Sequence, residues 1–521
     1  MKKVIVLFTC LLLVSLSSSA QDYSVDWGQV YRSTGNLHGY KLISADEDGY
    51  YMQMRLKKEG SIRSYDWKHK KLGEVKLNLK AQGDDVQFID LVYTAKGKFV
   101  CAADYNKKAK EWILMSSLFE PRRLGAFETI HRHPYKKKKA LVMGVAPVSM
   151  DLNRDKGNEF VVSPDKKMVA YMNVLANQNE AGNQKMAIAL FDADMKLQWD
   201  KVHEFPYKDM KLDVQELQVG NDGTVYIFTS LKDKSTKKKD KNLSDAEYIV
   251  FQLSDSGVKE TRIKIGSTKT PELAMMSVSS GSPSYFRVAG LYSSTTNAGL
   301  VGHFNVHGEV GGGLKETEAH FFKDAFKEGL VEEKRLKKGK GLEYNYYIKD
   351  DFELPDGSTG FIIEQIYQEN KLVNTTTGAG HLQRNDTKNK VTYHSDNLLI
   401  LCYDAEGKLK YEQKIIKDFE INTEYSTSYA YGISDSGKLY FLFNDTKTKE
   451  ERKKLNGKKR MLYTDLAIIN EKGQLAHREL LFKGSDVKLD FTPLFCDFAG
   501  NQFLVGNFRL NQYTFGTLEM K

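Results

Sequence analysis

Asp222-Gly223-Thr224-Val225-Tyr226-Ile227-Phe228 is a tight turn that runs directly into an aromatic, β-branched segment. Asp and Gly accept the positive φ of a hairpin turn, while Val, Tyr, Ile and Phe suit a pleated, half-buried strand. The same phrase returns as Asp48-Gly49-Tyr50-Tyr51-Met52, Lys96-Gly97-Lys98-Phe99-Val100 and Asp165-Lys166-Lys167-Met168-Val169-Ala170-Tyr171 upstream of it. Downstream it returns as Asp356-Gly357-Ser358-Thr359-Gly360-Phe361-Ile362-Ile363, Ser436-Gly437-Lys438-Leu439-Tyr440-Phe441 and Ala499-Gly500-Asn501-Gln502-Phe503-Leu504-Val505. Gly281-Ser282-Pro283-Ser284-Tyr285-Phe286 is a looser copy. Eight copies of one turn-and-strand phrase along a strand-rich chain predict a repeat architecture of β-propeller type.

Working outward from the first phrase, Val214-Gln215-Glu216-Leu217-Gln218-Val219 reads as strand A and Val225-Tyr226-Ile227-Phe228 as strand B. Tyr248-Ile249-Val250-Phe251-Gln252-Leu253 reads as strand C, and Asp255-Ser256-Gly257 turns into strand D at 258–265. Some strands are apolar on both faces, as sheets sandwiched between neighbouring blades require. The prediction is an all-β, eight-bladed propeller, with seven blades as the alternative if the loose fifth copy is not a blade. The last unit supplies only three strands before Lys521. Val25-Asp26-Trp27-Gly28-Gln29-Val30-Tyr31 is similar to the strand D segment Leu197-Gln198-Trp199-Asp200-Lys201-Val202-His203, so it is expected to complete the last blade and close the ring.

Val162-Ser163-Pro164-Asp165-Lys166-Lys167-Met168-Val169-Ala170-Tyr171 resembles the Ser-Pro-Asp-Gly-Lys phrase of TolB-type propeller repeats, with Lys166 in the place of Gly. The resemblance covers about ten residues. It implies the propeller fold and a bacterial envelope setting, and it brings no active site.

Lys2 and Lys3, an apolar run over 4–16 and Ser18-Ser19-Ala20 read as a secretory signal peptide over residues 1–20, leaving one propeller domain over 21–521. The run is too short to span a bilayer, and no later stretch has the length or purity of a membrane span. The expectation is an exported chain, periplasmic or extracellular, and monomeric. Its formal charge of +9 falls by two when the leader takes Lys2 and Lys3 with it. That balance permits an anionic partner without requiring one. Cys101, Cys402 and Cys496 each lie in an apolar run and read as buried thiols; an odd, sparse set is no disulfide framework.

The A–B and C–D turns, on one face of the ring, are short. The B–C and D–A connections, on the other, read as long: 103–111, 131–158, 173–184, 231–246, 315–342, 368–397 and 444–462. Insertions confined to one face of a repeat array mark its binding face. Lysines crowd these connections, and Lys136, Lys137, Lys138, Lys237, Lys238, Lys239, Lys453, Lys454, Lys458 and Lys459 are the candidate partner-binding residues. The bland alternative is solvated loop tips. One insertion reads as a helix, capped by Thr317, carrying Phe322, Phe326 and Leu330 on one face and stopped by Gly339.

Chemical motifs are sparse. Gly308-Glu309-Val310-Gly311-Gly312-Gly313-Leu314-Lys315 lacks the Lys-Ser/Thr ending of a phosphate loop, and Asp46-Glu47-Asp48-Gly49 reads as a turn rather than a calcium loop. His131 and His133 would share one side of a strand but lack a third metal ligand, and His303 with His307 is no better supplied. Tyr344, Tyr346 and Tyr347 suit either a stacking surface or packing between blades. The sequence nominates no catalytic residue, no metal and no cofactor, and it argues against a nucleic-acid partner. The functional expectation is a non-enzymatic propeller binding a protein or anionic glycan through its basic, loop-rich face. The alternatives are a glycan-active hydrolase or lyase with carboxylates at the central channel, and a structural envelope component.

Overall fold

The computed structural model describes residues 23–520 except 33–36, 57–59, 78–85, 135–157, 176–181, 209–211, 233–245, 282–283, 295–298, 309–312, 378–383, 422–427, 448, 455–461, 485–489 and 510–511. The signal-peptide reading of 1–20 lies outside them.

Eight antiparallel sheets follow one another along the chain, spanning 37–77, 87–134, 158–208, 212–262, 269–321, 346–415, 429–483 and, for the last, 490–519 with 26–32. They are blades one to eight. Each of the eight repeated phrases is the turn between the first two strands of its blade. The loose copy at 281–286 leads into a full strand, Phe286–Ser294, so the fifth blade is real and the seven-blade alternative falls.

The ring is closed by packing. A separate apolar cluster fills each of the eight seams, including the seam between blades one and eight, where Met52, Tyr50 and Tyr65 meet Leu504, Tyr513 and Phe515. Burying a Leu, Ile or Phe side chain contributes about 1.5–3 kcal/mol, so each seam is a core in its own right. Closure by the early strand holds as expected. Asp26–Trp27 pairs with Thr517 and Gly516, Tyr31–Arg32 pairs with Tyr513 and Gln512, and Trp27 packs edge-on against Phe482 of blade seven.

First strands line the inside of the ring and touch one another from blade to blade. In blades one, two, four, five and six this strand carries a β-bulge at one equivalent place, and the extra residue is Ile43, Ile89, Gln215, Glu272 and Lys349 in turn. A bulge bends the strand and re-aims the side chain it inserts. The residue after the bulge can staple its blade to the next: Ser44 bonds the Tyr93 hydroxyl, Glu216 Oε2 accepts from Met276 N at 3.3 Å, and Asp350 Oδ2 accepts from the Tyr429 hydroxyl at 2.5 Å.

Several expectations are corrected. The stretch 103–111 is no long loop, because the strands continue to Asn106 and resume at Glu111. Residues 368–397 are largely strand, Thr359–Thr377 and Arg384–Tyr403 extending blade six into a long hairpin. The expected helix from Thr317 does not form: Thr317 belongs to the strand Leu314–Phe321, and only the short turns Asp324–Lys327 and Glu333–Leu336 are helical. Gly329 at φ 77° interrupts the segment, which instead folds back so that Phe322, Phe326 and Leu330 pack in the seam between blades five and six. The first strand of blade eight is split into Asp490–Phe491 and Asp497–Ala499 by a 3-10 turn at Pro493–Phe495, since proline supplies no donor to a ladder. Cys101 and Cys402 are buried free thiols, whereas Cys496 follows that turn and is only partly buried.

Candidate active site

A buried network of charge lies in blade six where it meets blade seven, towards the face that carries the B–C and D–A connections. Glu364, on the second strand of blade six, and Lys417, just past the fourth strand, have no exposed side-chain surface and pair at 3.0 Å. Ser395 sits between them. Its hydroxyl donates to Glu364 Oε1 at 2.5 Å and accepts from Lys417 Nζ at 2.5 Å and from the Ser428 backbone N–H at 3.1 Å. Lys417 also donates to the Ser395 carbonyl at 2.7 Å, and the Ser428 hydroxyl donates to Glu364 Oε2 at 3.1 Å. Full satisfaction of this kind is what permits charge in a low-dielectric interior. It also disposes of a Ser–Lys nucleophile: Ser395 has neither a free lone pair nor solvent access, and Lys417 is committed to a carboxylate.

Ser428 stands at φ 103°, a conformation that costs a non-glycine residue roughly 1–3 kcal/mol and persists only where its surroundings over-determine it. Here its N–H and hydroxyl are both held by the network. The strain therefore fixes the entry into Tyr429, whose hydroxyl reaches Asp350. Burial holds the Tyr429 phenol far above its usual range, and the Asp350 carboxylate adds to that.

Beside this network is Lys349, the extra residue in the bulge of the innermost strand and only partly buried. Burial lowers its ammonium below the usual lysine value. The carboxylates of Glu364 and Asp350 oppose that shift and Lys417 reinforces it, with the net direction downward. A lowered value raises the fraction of free amine at neutral pH, and a free amine is a base or a nucleophile. On the outer side, burial holds Asp396 and Asp418 above the ordinary carboxylate range, with further repulsion on Asp396 from Asp418 and on Asp418 from Asp445 and Glu420. Perturbed groups and backbone strain cluster at functional sites and also in buried structural ion-pair networks, and this seam holds both.

A depression of about 550 Å³ lies on the opposite face, with Ser280, Glu353, Ser434 and Asp435 on its wall. Its carboxylates, Glu353 and Asp435, are exposed and belong to no buried network.

The residues singled out by sequence are placed elsewhere. Lys136, Lys137, Lys138, Lys237, Lys238, Lys239, Lys458 and Lys459 fall outside the described residues, and Lys453 and Lys454 lie on the short helix Lys449–Lys454. His131 and His133 do share one side of a strand and stack at 5.6 Å, with His133 against Asn173 of blade three. His303 is buried against the Tyr403 hydroxyl, and His307 is buried beside Asn305. No cluster of three or more metal-ligating side chains occurs among the described residues. Tyr346 is buried against Gln365 while Tyr344 and Tyr347 are exposed, so packing claims one of the three. No helix among the described residues is long and apolar enough to cross a membrane.

Sequence alone does not single out Lys349, because a lone lysine in a strand carries no motif. The available signal is the repeat itself: aligned on their bulges, the copies read Ile43, Ile89, Gln215, Glu272 and Lys349, and only the last places an amine there.

No protein-family model and no curated protein matches the sequence. Among solved structures, the chain is similar to a prolyl endopeptidase at 12% identity and TM-score 0.33, covering 82% of this chain and 55% of that one. It is also similar to a puromycin-hydrolyzing peptidase of Mycobacterium tuberculosis at 10% identity and TM-score 0.31, covering 81% and 61%. The β-propeller domain of the Trilobed protease from Pyrococcus furiosus is matched at 10% identity and TM-score 0.30, over 78% of this chain and all of that one. The chain spans about half the length of the larger peptidases and hydrolases it matches, 52–56% of each. The propeller fold rests on the eight blades themselves. The solved structures so matched are named as peptidases and hydrolases, against the expectation of a non-enzymatic binding propeller; likenesses at these identities and TM-scores carry no activity over to this chain.

Proposed function

We propose that this chain is a hydrolytic enzyme, with Lys349 as its general base at the inner edge of the seam between blades six and seven. One observation carries the reading: the bulge inserts this lysine beside a buried charge network, where burial lowers the basicity of its amine. The neutral amine takes a proton from water as the water oxygen bonds to an acyl carbon. The resulting ammonium returns that proton to the leaving nitrogen as the C–N bond breaks, which closes the proton balance. Glu364, Lys417, Ser395 and Ser428 hold the framework and do not touch the reacting atoms in this scheme. Peptide amides are proposed as the substrate class, in keeping with the names of the similar structures. The lysine-led apolar leader over 1–20 further supports export to a bacterial envelope.

The test is hydrolysis of a peptide amide library by the whole chain, by Lys349→Met and by Lys349→Arg. General-base catalysis contributes about 10²–10⁴-fold. Both variants are therefore expected to lose at least that first factor in kcat while melting like the parent. Equal rates in all three proteins, or no hydrolysis by the parent, would overturn the reading.

A further inference from the structure

The second and third strands of blade six outrun their neighbours. Thr359–Thr377 and Arg384–Tyr403 stay paired from end to end. The first strand of the blade, Tyr346–Glu353, reaches only to Gln365 on one side. On the other side, the partners of Arg384–Tyr403 stop at Tyr393. What remains is a two-stranded ribbon standing off the ring, with both backbone edges unpaired among the described residues. At about 3.3 Å per residue the stretch 368–377 is roughly 30 Å long. A lone two-stranded ribbon is marginal in water, and an unpaired edge is a template for another strand.

We infer that the edge at 368–372 pairs antiparallel with the same edge of a second copy of this chain, about a twofold axis through Asn370. In that register Glu369 of each copy lies opposite Lys371 of the other, and Gln368 lies opposite Leu372. Residues two apart on a strand share a face, and so do residues directly opposed across a ladder, which puts both ion pairs on one side of the joined sheet. Glu369 and Lys371 are exposed and already sit 2.8 Å apart within one copy, so each can exchange that contact for the one across the axis. Leu372 is 77% exposed, the highest value among the described large apolar side chains, and the pairing gives it cover. An edge lysine normally repels an approaching strand. Glu369, two residues earlier, makes a second copy the strand whose charges match.

Sedimentation velocity of the full chain from low to high micromolar concentration tests this, with two charge-reversed variants. The parent is expected to dimerise. Glu369→Lys alone and Lys371→Glu alone place like charges opposite each other twice, and each should weaken self-association by about ten-fold or more. An equimolar mixture of the two variants restores both ion pairs and should recover a heterodimer, an outcome that damage to the ribbon would not give. A monomeric parent, variants that dimerise like the parent, or a mixture that stays as weak as its components would each overturn the inference.

Discussion

Glu364 and Lys417 form an ion pair of 3.0 Å with neither side chain exposed, and Ser395 donates to one and accepts from the other. Removing either partner leaves a buried charge uncompensated, which costs about 3–5 kcal/mol. Glu364→Gln and Lys417→Met are each expected to lower stability by that order. The double variant should recover a good part of the loss, since desolvation of both charges is then no longer required. Denaturant melts of the four proteins measure the coupling, and strictly additive losses would show that the pair is not a unit.

A second expectation concerns acid. His133 is buried against Asn173 and Tyr171, and burial, helped by His131, lowers its pKa to about 4 from the ordinary 6.5. A group whose folded value is depressed contributes stability above its unfolded pKa and loses it as pH falls through the folded one. The window therefore runs from about pH 6.5 down to about 4, and the full shift is worth roughly 3 kcal/mol. His133→Gln should flatten the fall in stability across that window. Parallel stability curves for variant and parent would place the acid sensitivity elsewhere.

Ring closure makes a third. A Cβ added at Gly516 would come within 2.3 Å of Val25 Cγ1 and 2.8 Å of the Trp27 ring, so the strand at Asp26–Trp27 cannot lie flat on anything larger. Gly516→Val is expected to cost about 2 kcal/mol by overpacking and to expose the strand edge of blade eight. A lowered melting temperature together with concentration-dependent aggregation is the anticipated result. A parental melt would mean that closure contributes little.

The fold is legible in the sequence because a propeller repeats its instructions. Each short turn followed by an aromatic or β-branched run fixes one hairpin, and eight such turns along the chain leave little choice of architecture. The helix expected from Thr317 shows where that logic stops. Phe322, Phe326 and Leu330 do have helical spacing, but the preceding residues are drawn into the edge of blade five, and a ladder outweighs local propensity. The lysine-rich connections stand out because charge is visible in a sequence, whereas burial is not. Lys349, Glu364 and Lys417 are distant in sequence and ordinary in type. Their meaning arises only when a bulge and three strand registers bring them to one seam.

The most direct measurement is the pH dependence of amine reactivity at Lys349, followed by competitive acylation and mass spectrometry on the folded chain. Exposed lysines of the same protein serve as the internal reference. Lys349 is expected to titrate below them and to lead them in labelling near neutral pH, with the difference abolished on denaturation. A Lys349 that titrates with the exposed lysines, or above them, would contradict the assignment of this residue as the base.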